Sequence, residues 1–188
     1  SYWVQKNINK IYLAGIPIKK LMNKYKIKLG DLKPYLPLDE AEIKKSKVEV
    51  HYLGYYKKWI PQESFYYSVE HSNFKARPFR SQGTYSKYIS IDDKIDDLNF
   101  YTTFIKFGIG RTTFDASQEV RNKHLTREEA VKLVSRYDGE YPDKYLNEVL
   151  NYLEIKVEDF NKLCDKFRSP HLWQKTSNGW KLRHTVYE

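Results

Sequence analysis

Residues 106–113, with the sequence Lys-Phe-Gly-Ile-Gly-Arg-Thr-Thr, hold residue types that could bind an anion. Gly108 and Gly110 let the backbone approach a ligand closely, and their amide groups can point at a negative charge. Lys106 and Arg111 supply positive charge on either side, and the N-terminus of the next helix adds its dipole. The pattern fits a phosphate or carboxylate site, and it also fits a glycine-rich turn between two helices. Because this Gly-x-Gly pair follows a helix, it is not a dinucleotide fingerprint.

Other polar groups leave two interpretations open. Four aspartates, Asp92, Asp93, Asp96 and Asp97, could bind Mg²⁺ or orient a sugar hydroxyl, although acids at a helix start more often cap it. The basic, aromatic loop around residues 77–87 could hold a sugar or a nucleotide, or be ordered surface. His171 could be a general base or a packed side chain. The five histidines are scattered and Cys164 is the single cysteine, so the sequence predicts no metal site.

The composition predicts a folded, basic protein. Of 188 residues, 40% are hydrophobic, and 17 tyrosines contribute large apolar faces with one polar group each. The net charge of +9 favours phosphate-bearing partners, yet lysines and arginines are interleaved with acids along the whole chain. No run approaches the roughly 20 apolar residues that cross a bilayer, and no signal peptide is visible, so we expect a cytoplasmic protein without a membrane partner.

The first half of the chain predicts one β-α unit. Apolar spacing predicts a helix over 18–25, and the charged run 39–47 predicts one or two exposed helical turns. The β-forming residues of 48–56 predict a strand, and Pro61 predicts the first position of a helix that reaches about His71. Strand, loop and helix together are typical of one edge of a nucleotide-binding α/β sheet, where ligands bind at the strand's end beside Tyr55 and Lys58.

The second half predicts helices. Residues 72–89 predict a loop, after which Ser90 could cap a helix whose apolar face includes Leu98 and Ile105. Helices are predicted at 113–122, from a capping box at Thr126–Glu129, and around residues 145–153 and 160–167. Asn178-Gly179 predicts a hairpin turn near the end. The sequence therefore predicts a mainly α fold with an α/β edge, a helical array and a small C-terminal β-hairpin.

Five runs of sequence, in order, resemble the N-acetyl sugar amidotransferase family of bacterial surface-glycan synthesis. They are HYLGYYKKWIPQESFYYSVEH (51–71), GTYSKYISIDDKIDDL (83–98), YTTFIKFGIGRTTFDASQEVRN (101–122), LTREEAVKLVSRYDGEYP (125–142) and DKFRSPHLWQK (165–175). The resemblance covers roughly residues 30–188. It implies that residues 1–75 are the C-terminal remnant of a PP-loop, Rossmann-like α/β domain, and that residues 76–188 are a helical C-terminal region with the terminal hairpin.

The resemblance also implies a reaction. Members of this family resemble PP-loop ATP pyrophosphatases and convert the acetamido group of a nucleotide-linked or nonulosonic sugar to an acetamidino group, with products that enter O-antigen or flagellin glycans. ATP and Mg²⁺ are the implied cofactors of the full-length protein. Ammonia is expected from glutamine through glutaminase-like and cyclase-like partner proteins.

The resemblance assigns roles to several residues. Lys106 and Arg111 would neutralise negative charge on ATP or on the adenylated intermediate, and Asp115 would orient Arg111. Gly108 and Gly110 would allow close approach of the backbone to the nucleotide. Lower-ranked candidates are Tyr55 and Lys58 for the nucleotide pocket, and Thr84 and Tyr85 for the sugar.

This sequence departs from the family in one respect. The paired cysteines that suggest zinc and the Ser-Gly-Gly-x-Asp-Ser phosphate loop of the family's N-terminal half are absent from these 188 residues. We therefore expect no adenylation by this chain alone, and zinc only in the absent half. Two alternatives of other classes remain: an RNA-binding or tRNA-modification module, with nucleic acid the less favoured partner, and a docking domain for the ammonia-supplying partner.

Overall fold

The computed structural model describes residues 11–13, 15–38 and 40–187. Within these residues the protein is mainly α, with ten α-helices and two small antiparallel sheets of two strands each. The chain divides into two compact units, one ending at Lys58 and the other beginning at Trp59. This division reflects packing, and the relation of residues 1–75 to a PP-loop domain stays a prediction. None of the helices in the described ranges combines the length and the apolar character that crossing a membrane requires.

The first unit consists of short elements. Strands β1 (Tyr12–Leu13) and β2 (Ile16–Pro17) pair antiparallel, with Tyr12 opposite Pro17. Helix α1 has the predicted bounds, and the exposed helix predicted over 39–47 is confirmed as α3, with Asp39 itself outside the described residues. The helices of this unit are α1 (Ile18–Tyr25), α2 (Leu29–Leu32), α3 (Glu40–Ser46) and α4 (Leu53–Tyr56), with a 3-10 turn at Lys33–Tyr35.

The strand predicted over residues 48–56 is wrong. Residues 48–52 have no regular structure, and Leu53–Tyr56 form the single helical turn α4. Val48, Val50 and Tyr52 alternate as a strand would, but each is about 70% exposed. The propensity of such residues for strands depends on neighbouring strands against which they can pack. The described residues offer no strand that pairs with this segment, so the β-α unit lacks its strand and keeps only its helix.

The second unit contains six helices and a hairpin. The helix predicted at Pro61 is confirmed as α5, and the capping box at Thr126 and Glu129 is present at the start of α8. The hairpin is confirmed, with Thr176 opposite Gly179 across the Ser177-Asn178 turn. The elements are α5 (Pro61–Ser72), α6 (Asp96–Phe107), α7 (Arg111–Arg121), α8 (Arg127–Tyr137), α9 (Leu146–Tyr152), α10 (Val157–Phe167), β3 (Trp173–Thr176) and β4 (Gly179–Leu182).

The predicted cap at Ser90 is wrong. Helix α6 begins at Asp96, so that Asp96 and Asp97 occupy its first turn. Ser90 has a φ of +53°, whereas a capping residue has an extended backbone. The side chain of Asp93 instead accepts a hydrogen bond of 2.9 Å from the N–H of Ile95. The loop therefore extends over residues 73–95, longer than predicted.

Two apolar clusters hold the second unit together. The larger joins α6, α9, α10 and the hairpin, and the indole N–H of its Trp173 donates a 2.8 Å hydrogen bond to the carbonyl of Ile105. The smaller lies between α7 and α8, where Tyr85 of the loop packs against Ala116, Ala130 and Val134. The buried members of the larger cluster are Ile105, Leu146, Leu150, Phe160, Cys164 and Trp173.

Charge-assisted hydrogen bonds hold the 73–95 loop against α7 and against the residues that follow α8. The guanidinium of Arg80 binds both carboxylate oxygens of Glu140, with an Nη1–Oε2 distance of 2.6 Å. The N–H of Gly83 donates to Glu140 at 2.8 Å, and Thr112 of α7 donates its hydroxyl to the carbonyl of Gly83 at 2.8 Å. Burial raises the pKa of Glu140, but the hydrogen bonds from Arg80 and Gly83 outweigh it and hold the pKa below its ordinary value. Glu140 is therefore an ionised anchor for the loop.

We predict that Gly139→Ala destabilises the second unit. Gly139 has a φ of +77°, and a Cβ there would lie 2.3 Å from Cε1 of Phe104. The clash and the left-handed backbone together should lower the free energy of unfolding by about 2 kcal/mol or more, measurable in urea. Gly179→Ala, also at positive φ but with open space around its Cβ, is the matched control. Equal losses for both variants would contradict the clash with Phe104.

Candidate functional site

One face of α7 carries a row of polar side chains. Arg111, Asp115, Gln118 and Glu119 are spaced so that they lie on one side of the helix, and the opposite side packs Ala116 into the apolar cluster with α8. The polar side faces the loop residues around 84–89 and the start of α5. The amphipathic pattern of α7 therefore places its polar face toward a cleft.

Asp115 joins this face to the loop. Its carboxylate accepts a hydrogen bond of 2.9 Å from Nε of Arg111 and another of 2.6 Å from the hydroxyl of Thr84. Burial raises the pKa of Asp115 above its ordinary value, and these two hydrogen bonds oppose the increase only in part. The guanidinium of Arg111 also lies over the ring of Phe100, at 5.2 Å from its centroid. The predicted pairing of Asp115 with Arg111 is thus present in the structure.

A second carboxylate on α7 is paired with a histidine. Glu119 is 9% exposed, and its Oε2 lies 2.7 Å from Nδ1 of His124. The other ring nitrogen of His124, Nε2, lies 3.8 Å from Glu63 at the start of α5. The imidazole therefore lies between two carboxylates, and a histidine is a side chain that can donate or accept a proton in a reaction.

Two adjoining cavities open along this face. The smaller, about 250 Å³, has aromatic walls from Trp59 and Tyr88 and polar groups from Arg111 and Asp115. The larger, about 650 Å³, extends toward His124 and Leu125. Residues that line both are Tyr85, Ser86, Tyr88 and Glu119. Apolar walls with a few polar groups are the usual composition of a small-molecule site.

Two tyrosines separate the cavities. The hydroxyl of Tyr88 donates to Gln62 at 2.9 Å, and the ring of Tyr88 stacks on Phe65 at 4.3 Å. The hydroxyl of Tyr85 is buried and has no hydrogen-bond partner in the described part of the chain. Burial, followed by the charges of Asp115 and Glu119, raises the pKa of Tyr85 above its ordinary value. An unsatisfied hydroxyl beside two carboxylates is a group that a polar ligand could bind.

A carboxylate of the protein lies where the sequence predicts an anion site, beside Gly108 and Gly110. Asp138 accepts from the N–H of Gly110 at 3.0 Å and of Thr113 at 3.2 Å, at the N-terminus of α7. A Cβ on Gly110 would lie 2.5 Å from this carboxylate. Gly108 ends α6 at a φ of +71° and packs against Leu182 of the hairpin. Both glycines therefore serve internal packing, and the expectation that they face a nucleotide phosphate does not fit their surroundings.

The other predicted residues are dispersed. Lys106 is exposed, its ammonium lies over the ring of Phe107, and it lines neither of the cavities described above. Thr84 is fully buried and its hydroxyl donates to Asp115, so it supports the cleft, and its contact with the sugar stays a prediction. Tyr55 and Lys58 are exposed and belong to the first unit. The structure therefore brings together Thr84, Tyr85, Arg111 and Asp115.

Sequence reasoning missed several residues of the cleft. Glu119 could have been found from its helical spacing to Arg111 and Asp115, since positions four and eight residues apart share a face. Nothing in the local sequence signals that His124 turns back to Glu119, or that Tyr88 reaches α5. The first contact depends on the turn that ends α7, where the N–H of His124 donates to the carbonyl of Glu119, and the second depends on how the 73–95 loop folds.

We predict that Thr84→Val destabilises the protein. The change leaves an oxygen of the buried Asp115 without its donor, which should cost about 1–3 kcal/mol. Thr102→Val, which removes an exposed hydroxyl bond within α6, is the control and should change stability little. Because loss of the donor raises the pKa of Asp115 further, the difference between the variants should shrink as the pH falls. A difference that is constant with pH would contradict the role of Asp115.

We predict that Tyr88 ionises late in an alkaline titration. Burial, with the charges of Glu119 and Asp115, raises the pKa of Tyr88 from 10.0 to about 12. The tyrosinate absorbance of the native protein minus that of Tyr88→Phe should therefore rise near pH 12. Since the raised pKa opposes ionisation in the folded state, Tyr88 favours unfolding as the pH rises from 10 to 12, and the variant should lose less stability there. A difference signal centred at pH 10 would refute the burial of this hydroxyl.

A family model matches the part of the chain that contains the cleft. The model for the family described as LPS biosynthesis protein WbpG-like, C-terminal domain, matches residues 82–187, which is more than half of the chain. No curated protein matches the sequence. The matched residues include α6 to α10, the hairpin, most of the 73–95 loop, and the groups Tyr85, Arg111, Asp115 and Glu119 of the cleft. The chain therefore belongs to the WbpG-like family of LPS biosynthesis proteins, and residues 82–187 are its match to the C-terminal domain of that family.

Proposed function

We propose that this domain binds the sugar substrate of an ATP-dependent amidotransferase that converts an acetamido group to an acetamidino group in O-antigen or flagellin glycan synthesis. The proposal rests on one observation above all. The cavity of about 250 Å³ along α7 (the α7 cleft) combines the aromatic walls of Trp59 and Tyr88 with the two buried carboxylates of Asp115 and Glu119. Membership in a family of LPS biosynthesis proteins supports a role in glycan synthesis.

The cleft has the chemistry of a carbohydrate site. Carboxylates accept hydrogen bonds from sugar hydroxyls, and aromatic rings cover the apolar C–H faces of a pyranose. Trp59 and Tyr88 provide such rings, and Asp115 and Glu119 provide acceptors, in one cavity.

The proposed reaction explains the charges on α7. ATP transfers AMP to the oxygen of the acetamido group, and pyrophosphate is released. Ammonia then adds to the carbonyl carbon of that group, and AMP leaves together with the oxygen. Arg111, held by Asp115, would stabilise the negative charge that develops on the adenylated group. The Glu119–His124 pair would accept the proton that the attacking ammonia loses. Lys106 lies apart from this cleft, and its catalytic role stays an expectation from the family resemblance.

The proposal predicts that Arg111→Gln reduces turnover of the full-length enzyme. Loss of a preorganised cation should lower kcat by about 100-fold without unfolding the protein. Arg127→Gln removes the same charge from an exposed position at the start of α8 and is the matched control. The readout is AMP formed with an N-acetyl sugar, glutamine and the ammonia-supplying partners.

Unchanged turnover in Arg111→Gln would refute the role of Arg111. The sugar itself is tested separately on this 188-residue chain by two-dimensional NMR with N-acetylglucosamine. We expect shifts at Tyr85, Tyr88 and the α7 amides, and fewer of them in Tyr88→Ala. An absence of shifts in the cleft would refute the carbohydrate site.

A further inference from the structure

The positive charge of this protein is concentrated in its first unit. Residues 1–58 contain 13 lysines and five acids, a net charge of +8, whereas residues 59–188 contain 20 lysines and arginines and 19 acids, a net charge of +1. The charge therefore changes at the boundary between the two compact units. Such asymmetry between two parts of a chain is typical of a protein that meets an extended anionic partner.

The lysines of the first unit are exposed and almost all unpaired. Eleven of them belong to the described residues, and all eleven are exposed. Lys44 lies 3.1 Å from Glu40, and the other ten form no ion pair with a residue that the structure describes. Residues 19–38, which we call the basic segment, contain Asp31 as their one acid and six of these lysines, Lys19, Lys20, Lys24, Lys26, Lys28 and Lys33.

Helix α1 directs three of these lysines into solvent. Ile18 is 1% exposed and Leu21 is half-buried, so the apolar side of the helix packs against its own unit. Lys19, Lys20 and Lys24 lie on the opposite side and are exposed. The helix contains no acid that could neutralise them.

Apolar side chains are exposed among the lysines that follow. Residues 24–29 alternate as Lys-Tyr-Lys-Ile-Lys-Leu. Tyr25 is 50% exposed, Leu29 42%, Tyr35 70% and Leu38 60%. Lysines combined with exposed tyrosines and leucines are typical of segments that lie in the interface between a bilayer and water.

The choice of cation distinguishes among anionic partners. Residues 1–58 contain no arginine, and all eight arginines of the chain lie in the second unit. Arginine is the preferred cation for nucleic acid, and protein interfaces are enriched in arginine and depleted of lysine. Attraction to an anionic lipid surface depends on the number of charges near it, which lysine supplies equally well. The composition therefore favours a lipid surface over RNA or an acidic protein.

We propose that the basic segment binds the surface of a bilayer that contains anionic phospholipids. Its lysines lie among the lipid phosphates, and Tyr35 and Leu38 enter the headgroup region. The expectation of no membrane partner rested on the lack of an apolar run that could cross a bilayer, and binding at the surface needs no such run. The inference concerns the first unit alone and does not depend on the sugar site.

The test is cosedimentation of the 188-residue chain with vesicles of phosphatidylcholine that contain about one third phosphatidylglycerol, and with vesicles of phosphatidylcholine alone. We expect the partition coefficient to be at least about tenfold higher for the anionic vesicles and to fall as the salt concentration rises. The triple variant Lys19→Gln, Lys20→Gln, Lys24→Gln should lower it about 100-fold, since each lysine near the surface contributes about fivefold. Tyr35→Ser with Leu38→Ser keeps the charge and should lower it about fivefold.

The matched control is the triple variant Lys156→Gln, Lys162→Gln, Lys166→Gln, which removes the same charge from exposed positions at α10 in the second unit. It should change the partition coefficient about twofold at most. Equal losses in the two triple variants would show attraction to the charge of the whole protein and overturn the proposal.

Two further results would also overturn the proposal. One is the absence of binding to the anionic vesicles at low salt. The other is binding of single-stranded polyuridine through Lys19, Lys20 and Lys24 while the vesicles stay unbound, which would make the basic segment a nucleic-acid surface. An unchanged partition coefficient in the Tyr35 and Leu38 variant would contradict the contact of these two side chains with the bilayer.

Discussion

The buried carboxylate of Asp115 ties the second unit of this protein together. It receives the hydroxyl of Thr84 from the 73–95 loop and the guanidinium nitrogen of Arg111 from its own helix. A buried charge is tolerated only when its hydrogen bonds are made, so the loop and the helix must meet at this point. The position of Tyr85, one residue after Thr84, follows from the same constraint.

Two further carboxylates have a similar structural role near this site. Asp138 caps the N-terminus of α7, and Glu140 binds Arg80 and Gly83 of the loop. Both lie just after α8, so the end of that helix fixes the start of α7 and the course of the loop. The glycines at 108 and 110 permit this close packing. The N–H groups at which Gly-x-Gly predicts an anion site are thus satisfied by a carboxylate of the protein.

The polar face of α7 carries two kinds of chemistry. On one side, Glu119 and His124 adjoin aromatic rings, which suits a neutral sugar and a proton transfer. On the other, Arg111 is held by Asp115, and Arg121 is exposed at the end of the helix. The Arg111–Asp115 pair also lines the aromatic cavity.

The sequence alone determined the elements whose signals are local. The bounds of α1, the capping box of α8 and the hairpin signalled by Asn178-Gly179 depend on neighbouring residues, and each prediction is confirmed, although the turn itself consists of Ser177 and Asn178. The row of charges on α7 was also available from its spacing. Tertiary structure decided the rest. Residues 48–52 have strand-like residues but no strand to pair with, and Asp138 reaches Gly110 across 28 positions. Pairing, burial and capping by distant carboxylates depend on contacts that no local pattern encodes, and these contacts decide which of the predicted residues share a site.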